Sequence, residues 1–174
     1  MSSTPVSSVD KSPVYFVSLG CPKNLVDSQV MLGLLEKDRY SITQAPEDAE
    51  VIIVNTCSFI EASKEESIET ILELAELKQS ARCKVLVASG CLPQRYSAQL
   101  EKEMPEVDLF LGTGQYHKIT DVLNEHRRAK ELGAPLPKRS YVDQPAFIHT
   151  EKDPRVHTGP TYTGYLKLSE GCNR

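Results

Sequence analysis

The sequence predicts an α/β protein: a parallel sheet with helices wound on both of its faces. Three observations carry that reading. Short β-branched runs alternate with longer amphipathic stretches from residue 14 to residue 132. The runs at 51–54 and 85–88 are wholly apolar, as expected of strands covered on both faces. Pro93, Pro105 and Gly133 stand where helices should begin or stop. Five strands joined by helical crossovers favour the flavodoxin-like doubly wound order 2-1-3-4-5.

In chain order, residues 1–12 read as a disordered leader and 13–133 as the domain itself. Residues 14–19 form the first strand. A helix over 24–37 turns Leu25, Val26, Val30, Met31, Leu34 and Leu35 inward, weakened at Gly33 by about 1 kcal/mol relative to alanine. Residues 40–43 and 51–54 are the second and third strands. The helix over 61–79 has Ser63 and Glu66 at capping-box spacing and an inward stripe of Ile68, Ile71, Leu72, Ala75 and Leu77. A fourth strand spans 84–89, followed by a helix from about Pro93 to Met104, and a short fifth strand spans 109–111. The last helix, 116–132, carries Ile119, Val122, Leu123 and His126 at helical spacing and ends at Gly133. Residues 134–164 hold five of the 11 prolines and read as a linker with one strand at 140–143. Residues 165–174 read as the first strand of a second domain, with the strand proper at 165–169.

Composition sets bounds on function. The 174 residues are 40% hydrophobic and 25% charged, which excludes a disordered or low-complexity scaffold for most of the chain. Lys and Arg number 20 against 24 Asp and Glu, so no direct nucleic-acid binding is expected from this domain. No apolar run approaches the length of a membrane span, and the first dozen residues lack the apolar centre of a secretory signal. The expectation is a cytoplasmic protein with no membrane partner.

Cys21, Cys57 and Cys91 share a context, each lying just beyond a predicted strand, at separations of 36 and 34 residues. In the order 2-1-3-4-5 their strands are neighbours, spaced by about 4.8 Å, so the thiols should line a patch roughly 10 Å wide. That patch lies beyond the carboxyl ends of the strands, where open α/β sheets bind ligands. A shared metal or cluster site, core packing and thiol redox chemistry are all open readings. Convergence in a chain with no export signal favours metal or cluster over disulfides. Three ligands would leave one position open on a zinc ion or an iron–sulfur cluster, the usual mark of a reactive site. Cys83 opens the strand that Cys91 follows; it should lie about 26 Å away and be structural.

Other residues support this site or have plainer roles. Gly20 and Gly90 precede cysteines, where a missing side chain lets backbone approach a cofactor or simply makes a turn. Asn24 reads as a helix N-cap or a hydrogen-bond donor to a cluster, and Asp27 as a first-turn complement to the helix dipole. Asn55 and Thr56 could donate to cluster sulfides or satisfy nearby backbone. His126, Arg127, Arg128, Lys130, Lys138 and Arg139 form a basic run best read as solvated surface, and His117 and His149 as surface residues. No nucleophilic triad, phosphate loop or supported carboxylate pair is present.

Four motifs carry a family resemblance. They are Gly20-Cys21-Pro22-Lys23-Asn24-Leu25-Val26-Asp27-Ser28, Asn55-Thr56-Cys57, Gly90-Cys91-Leu92-Pro93-Gln94-Arg95-Tyr96 and the closing Tyr165-Leu166-Lys167-Leu168-Ser169-Glu170-Gly171-Cys172-Asn173-Arg174. Together they resemble the N-terminal domain of radical-SAM methylthiotransferases and the approach to that family's second cluster motif. The first motif is similar to the branch that modifies an aspartate of a small-subunit ribosomal protein; the tRNA-modifying branch typically has Gln-Met-Asn after the first cysteine. Gln29 stands where an acidic residue is common. The resemblance implies that Cys21, Cys57 and Cys91 bind an auxiliary [4Fe-4S] cluster whose unique iron carries the sulfur destined for substrate. It implies that Cys172 is the first ligand of a second [4Fe-4S] cluster that cleaves S-adenosylmethionine. Only the first cysteine of that Cys-x-x-x-Cys-x-x-Cys motif falls within these 174 residues. The expectation is therefore a fragment of the enzyme, inactive alone, with a small-subunit ribosomal protein as substrate of the whole. Two alternatives are a tRNA-adenosine methylthiotransferase fragment and a non-enzymatic α/β module binding a flavin or a protein at the same switch point.

Overall fold

The computed structural model describes residues 11–170. Six parallel strands form one sheet in the order β2-β1-β3-β4-β5-β6. They are β1 (Ser12–Ser18), β2 (Tyr40–Thr43), β3 (Val51–Thr56), β4 (Val85–Gly90), β5 (Leu109–Gly112) and β6 (Ser140–Tyr141). The order 2-1-3-4-5 is as expected, but the sheet has six strands and not five. The extra one is the strand read inside the proline-bearing segment: Ser140 and Tyr141 pair with Phe110 and Leu111 at the sheet edge. Two residues carry no alternation, so nothing in the sequence tied them to the sheet.

The helices are α1 (Pro22–Lys37), α2 (Glu61–Ala75), α3 (Leu77–Ser80), α4 (Cys91–Glu103) and α5 (Ile119–Leu132). Strand alternation sorts the core into two layers. Val51 and Ile53 of β3 face Val30, Met31 and Leu35 of α1 and Val122 and Leu123 of α5. Ile52 and Val54 face Ile71 and Leu74 of α2 and Leu92 and Leu100 of α4. Each such side chain contributes about 1.5–3 kcal/mol when fully buried.

Several boundaries differ from expectation for identifiable reasons. α1 begins at Pro22, with Cys21 rather than Asn24 as its N-cap. α2 has Ile60 at its N-cap and no side-chain cap, so Ser63 lies inside the helix and its carbonyl receives the Ser67 hydroxyl. The buried stripe of α2 is Ser67, Ile71 and Leu74, and Leu72 is 45% exposed. The expected long helix breaks at Glu76, leaving α3 as a single turn. α4 begins at Cys91, before Pro93, and Tyr96 interrupts it with non-helical φ −127° and ψ 21°. α5 ends as expected, with Gly133 in the left-handed conformation at φ 61°.

Residues 1–10 of the expected leader lie outside the described residues, and Ser12 already pairs with Tyr40 in the sheet. Residues 165–170 form no strand; among the described residues no neighbouring strand runs beside them. The expected linker is nonetheless docked. The Val156 amide donates to the Gln29 carbonyl at 2.9 Å, and a Cβ on Gly33 would lie 2.6 Å from the backbone of Pro154. Gly33 therefore weakens the helix in exchange for a close backbone crossing.

Candidate functional site: three strand-end cysteines

The register sets the ends of β1, β3 and β4 side by side: Ser18 pairs with Asn55, Asn55 with Ser89, and Thr56 with Gly90. The chain leaves β3 directly into Cys57 and β4 directly into Cys91, and leaves β1 through Leu19 and Gly20 into Cys21. Cys21 is the N-cap residue of α1 and Cys91 is the first residue of α4, so two of the three cysteines stand at helix N-termini. Cys21 is exposed, Cys91 half-buried and Cys57 buried.

Two glycines make this packing possible. Gly20 has φ +94°, and a Cβ there would lie 2.6 Å from Cys57 Cβ and 2.9 Å from Cys57 Sγ. Gly90 has φ +98°, and its Cβ would lie 2.4 Å from Asn55 Oδ1 and 2.5 Å from the Thr56 carbonyl. Both positions need the left-handed region and admit no side chain.

Asn24 ties the three loops together. Its Nδ2 donates to the carbonyls of Leu19 (3.1 Å) and Thr56 (2.7 Å), and its Oδ1 faces the Cys91 thiol at 3.7 Å. Asn55 Nδ2 donates to the Asn24 carbonyl and to Ser28 Oγ, each at 2.9 Å. The Thr56 hydroxyl donates to the Ser89 carbonyl at 2.6 Å and accepts from the Leu92 amide at 3.3 Å. These side chains spend their polar capacity on fixing the strand ends. The Cys57 amide donates to Ser67 Oγ at 3.0 Å, and the same hydroxyl lies 2.9 Å from the Cys57 carbonyl. Ser67 was not visible as a site residue in the sequence; its only signal was a serine on the apolar stripe of α2.

Burial pushes the Cys91 thiol up to about 11, and charge on Cys57 and Cys21 adds to the shift, while Arg95 opposes it. The three sulfurs thus share one electrostatic field. Arg95 itself is held by a 3.0 Å bond from Nη1 to the Ser58 carbonyl. Among the described residues, no three His, Cys, Asp or Glu side chains converge closely enough to hold a single metal ion. The donor set the three loops offer is three thiols. It suits a polynuclear iron–sulfur cluster, which separates its thiolate ligands more widely than one ion does.

Asp27 departs from the expected dipole role. It lies in the second turn of α1, is buried, and both of its oxygens accept from Lys167 Nζ, at 2.6 and 2.8 Å. Burial raises its carboxyl to about 7 even though Lys167 pulls the other way. Cys83 sits in the core at the opposite end of β4, as expected. The basic run divides. His126 is 2% exposed rather than solvated, and Arg139 clamps the carbonyls of Glu101 (3.0 Å) and Met104 (2.9 Å). His117 stacks on Phe147 with ring centroids 4.0 Å apart. A cleft of about 360 Å³ lined by Tyr40, Lys84, His126 and Arg127 opens at the far end of the sheet, away from the thiols. Cys172 lies outside the described residues.

The chain is thus an α/β domain with a parallel doubly wound sheet and three cysteines just beyond the carboxyl ends of neighbouring strands. Residues 13–112 match the family described as "Uncharacterized protein family UPF0004". The chain belongs to that family, and the domain is the methylthiotransferase N-terminal type that its motifs resemble. Its relatives include proteins named ribosomal protein uS12 methylthiotransferase RimO. The one from Citrifermentans bemidjiense is 49% identical over 168 residues, 97% of this chain and 36% of the relative. That from Geobacter sulfurreducens is 51% identical over 163 residues, 94% and 35% respectively. That from Myxococcus xanthus is 51% identical over 160 residues, 92% and 32%. The chain thus spans about a third of the length of the curated relatives it matches.

Proposed function

We propose that this domain holds an auxiliary [4Fe-4S] cluster on Cys21, Cys57 and Cys91 within a methylthiotransferase that modifies an aspartate of a small-subunit ribosomal protein. The observation that carries the reading is the placement of three cysteine-bearing loops side by side beyond the ends of adjacent strands, bridged by Asn24. When bound, the cluster would supply an iron without a protein ligand, able to carry sulfur for insertion. The chain's own part is placement. Gly20 and Gly90 let the cysteine loops close on β3, and Asn24 and Ser67 fix their backbones. Cys21, the exposed member, is the ligand on the open side. In the whole enzyme Cys172 would begin the second [4Fe-4S] site, where S-adenosylmethionine is cleaved. The relatives' names support the ribosomal substrate over a tRNA, and a cytoplasmic location goes with it. This domain supplies no membrane or nucleic-acid contact in that scheme.

Anaerobic reconstitution with iron and sulfide tests the ligands. The chain should take up about four irons and gain the broad visible absorbance of a cluster. Cys21→Ser should abolish both while leaving the urea midpoint unchanged. Retention of the cluster in that variant would remove Cys21 from the ligand set. Mass analysis of ribosomal protein and tRNA from a deletion strain carrying the full-length gene decides the substrate.

A further inference from the structure

We propose that Asp27 and Lys167 form a latch that docks residues 150–170 along α1, making both of them positioning residues for the segment that leads to Cys172. The burial pattern of this segment is inverted. Lys167 is its one buried residue, with its side chain 1% exposed, whereas Leu166 and Leu168 on either side are 76% and 80% exposed. A lysine enters the interior only when its charge is met. Here Nζ reaches both oxygens of Asp27, whose side chain is 5% exposed, and it also pairs with Glu170. The Tyr116 ring lies 5.0 Å from the same ammonium.

Further contacts run along the helix from this pair. Arg155 donates through Nε and Nη2 to Gln29 Oε1, at 2.8 and 2.6 Å, and through Nη2 to the Tyr165 carbonyl at 3.0 Å. Gln29 Nε2 donates to Thr158 Oγ1 at 3.1 Å, and the Val156 amide closes on the Gln29 carbonyl. Little apolar surface of the segment is buried, so these polar bonds and the ion pair are what hold it. α1 is the helix capped by Cys21, so the latch fixes one cysteine-bearing motif against the approach to another. The docking stands on these contacts alone; its consequence for Cys172 rests on the proposed function.

Hydrogen exchange on the cluster-free chain tests the docking. The Val156 amide should be protected in the wild-type chain, and its exposure there would overturn the latch. Lys167→Met and Asp27→Asn should each speed its exchange at least about tenfold while the β3 and β4 amides keep their protection. The double variant should exchange no faster than Lys167→Met alone, because neither charge is then left unpaired. Unchanged exchange in both single variants, or effects that multiply in the double, would overturn it. In the full-length enzyme, Lys167→Met should lower kcat for methylthiolation at unchanged KM for the ribosomal protein. A raised KM at unchanged kcat would count against positioning.

Discussion

Gly90 shows how much of the thiol site depends on single residues. Its φ of +98° and the 2.4 Å approach that a Cβ would make to Asn55 leave no room for any side chain. Gly90→Ala should cost about 1–3 kcal/mol, read as a lowered urea midpoint, because strain and a steric clash act together. The sequence marked Gly90 as notable but left turn and cofactor approach equally open. The structure gives a third reason, a close crossing with β3. In the sequence Asn24 reads as a helix N-cap or a hydrogen-bond donor to a cluster. Its role as a bridge among three loops depends on Leu19, Thr56 and Cys91 arriving from different parts of the chain.

At the scale of elements, α5 is the clearest case of a helix read correctly, with Ile119, Val122, Leu123 and His126 all buried. Burial also holds His126 below its ordinary 6.5, since desolvation disfavours the imidazolium. The unfolded chain binds that proton near 6.5 and the folded chain only at lower pH. The stability contribution is therefore complete above about 6.5 and is lost as pH falls through the lowered folded value. His117 and His149 are displaced in the same direction and add to the effect. Asp27, raised to about 7, titrates over the same window with the opposite sign in both proteins, so the His126 contribution is read as a difference. In thermal melts taken from pH 7.5 down to 5, His126→Gln should gain Tm relative to the wild type. α2 was read less well. Its start at residue 61 is as expected, but Ser63 and Glu66 at capping spacing lie inside the helix. Ile60 holds the N-cap position without a side-chain cap, and the helix stops at Ala75. Capping signatures are local, while the entry point of a helix is set by where its preceding strand ends.

For the whole molecule, tertiary contacts change the picture most in the expected linker, residues 134–164. Proline content suggests a linker there, yet its residues 154–158, together with Lys167 just beyond it, pack against α1 at Asp27, Gln29 and Gly33. Removing residues 150–174 should leave a single cooperative transition, because both apolar layers lie within residues 14–147. The midpoint should fall by several degrees, at about 2–4 °C per kcal/mol, because Asp27 loses its partner. Differential scanning calorimetry of the shortened chain checks this.

The amino-acid order alone determined the alternation of strands and helices, the sheet order through β5, and the placement of Cys21, Cys57 and Cys91 at neighbouring strand ends. Those features follow from apolar periodicity, turn residues and a crossover rule, all of which act over short stretches of chain. Only the tertiary structure decided the sixth strand, the bridging by Asn24 and Ser67, and the union of Asp27 with Lys167 across 140 residues. Buried polar partners have no period. They are chosen by which distant groups the packed backbone brings within hydrogen-bond reach, and an unmet group there costs too much to leave alone.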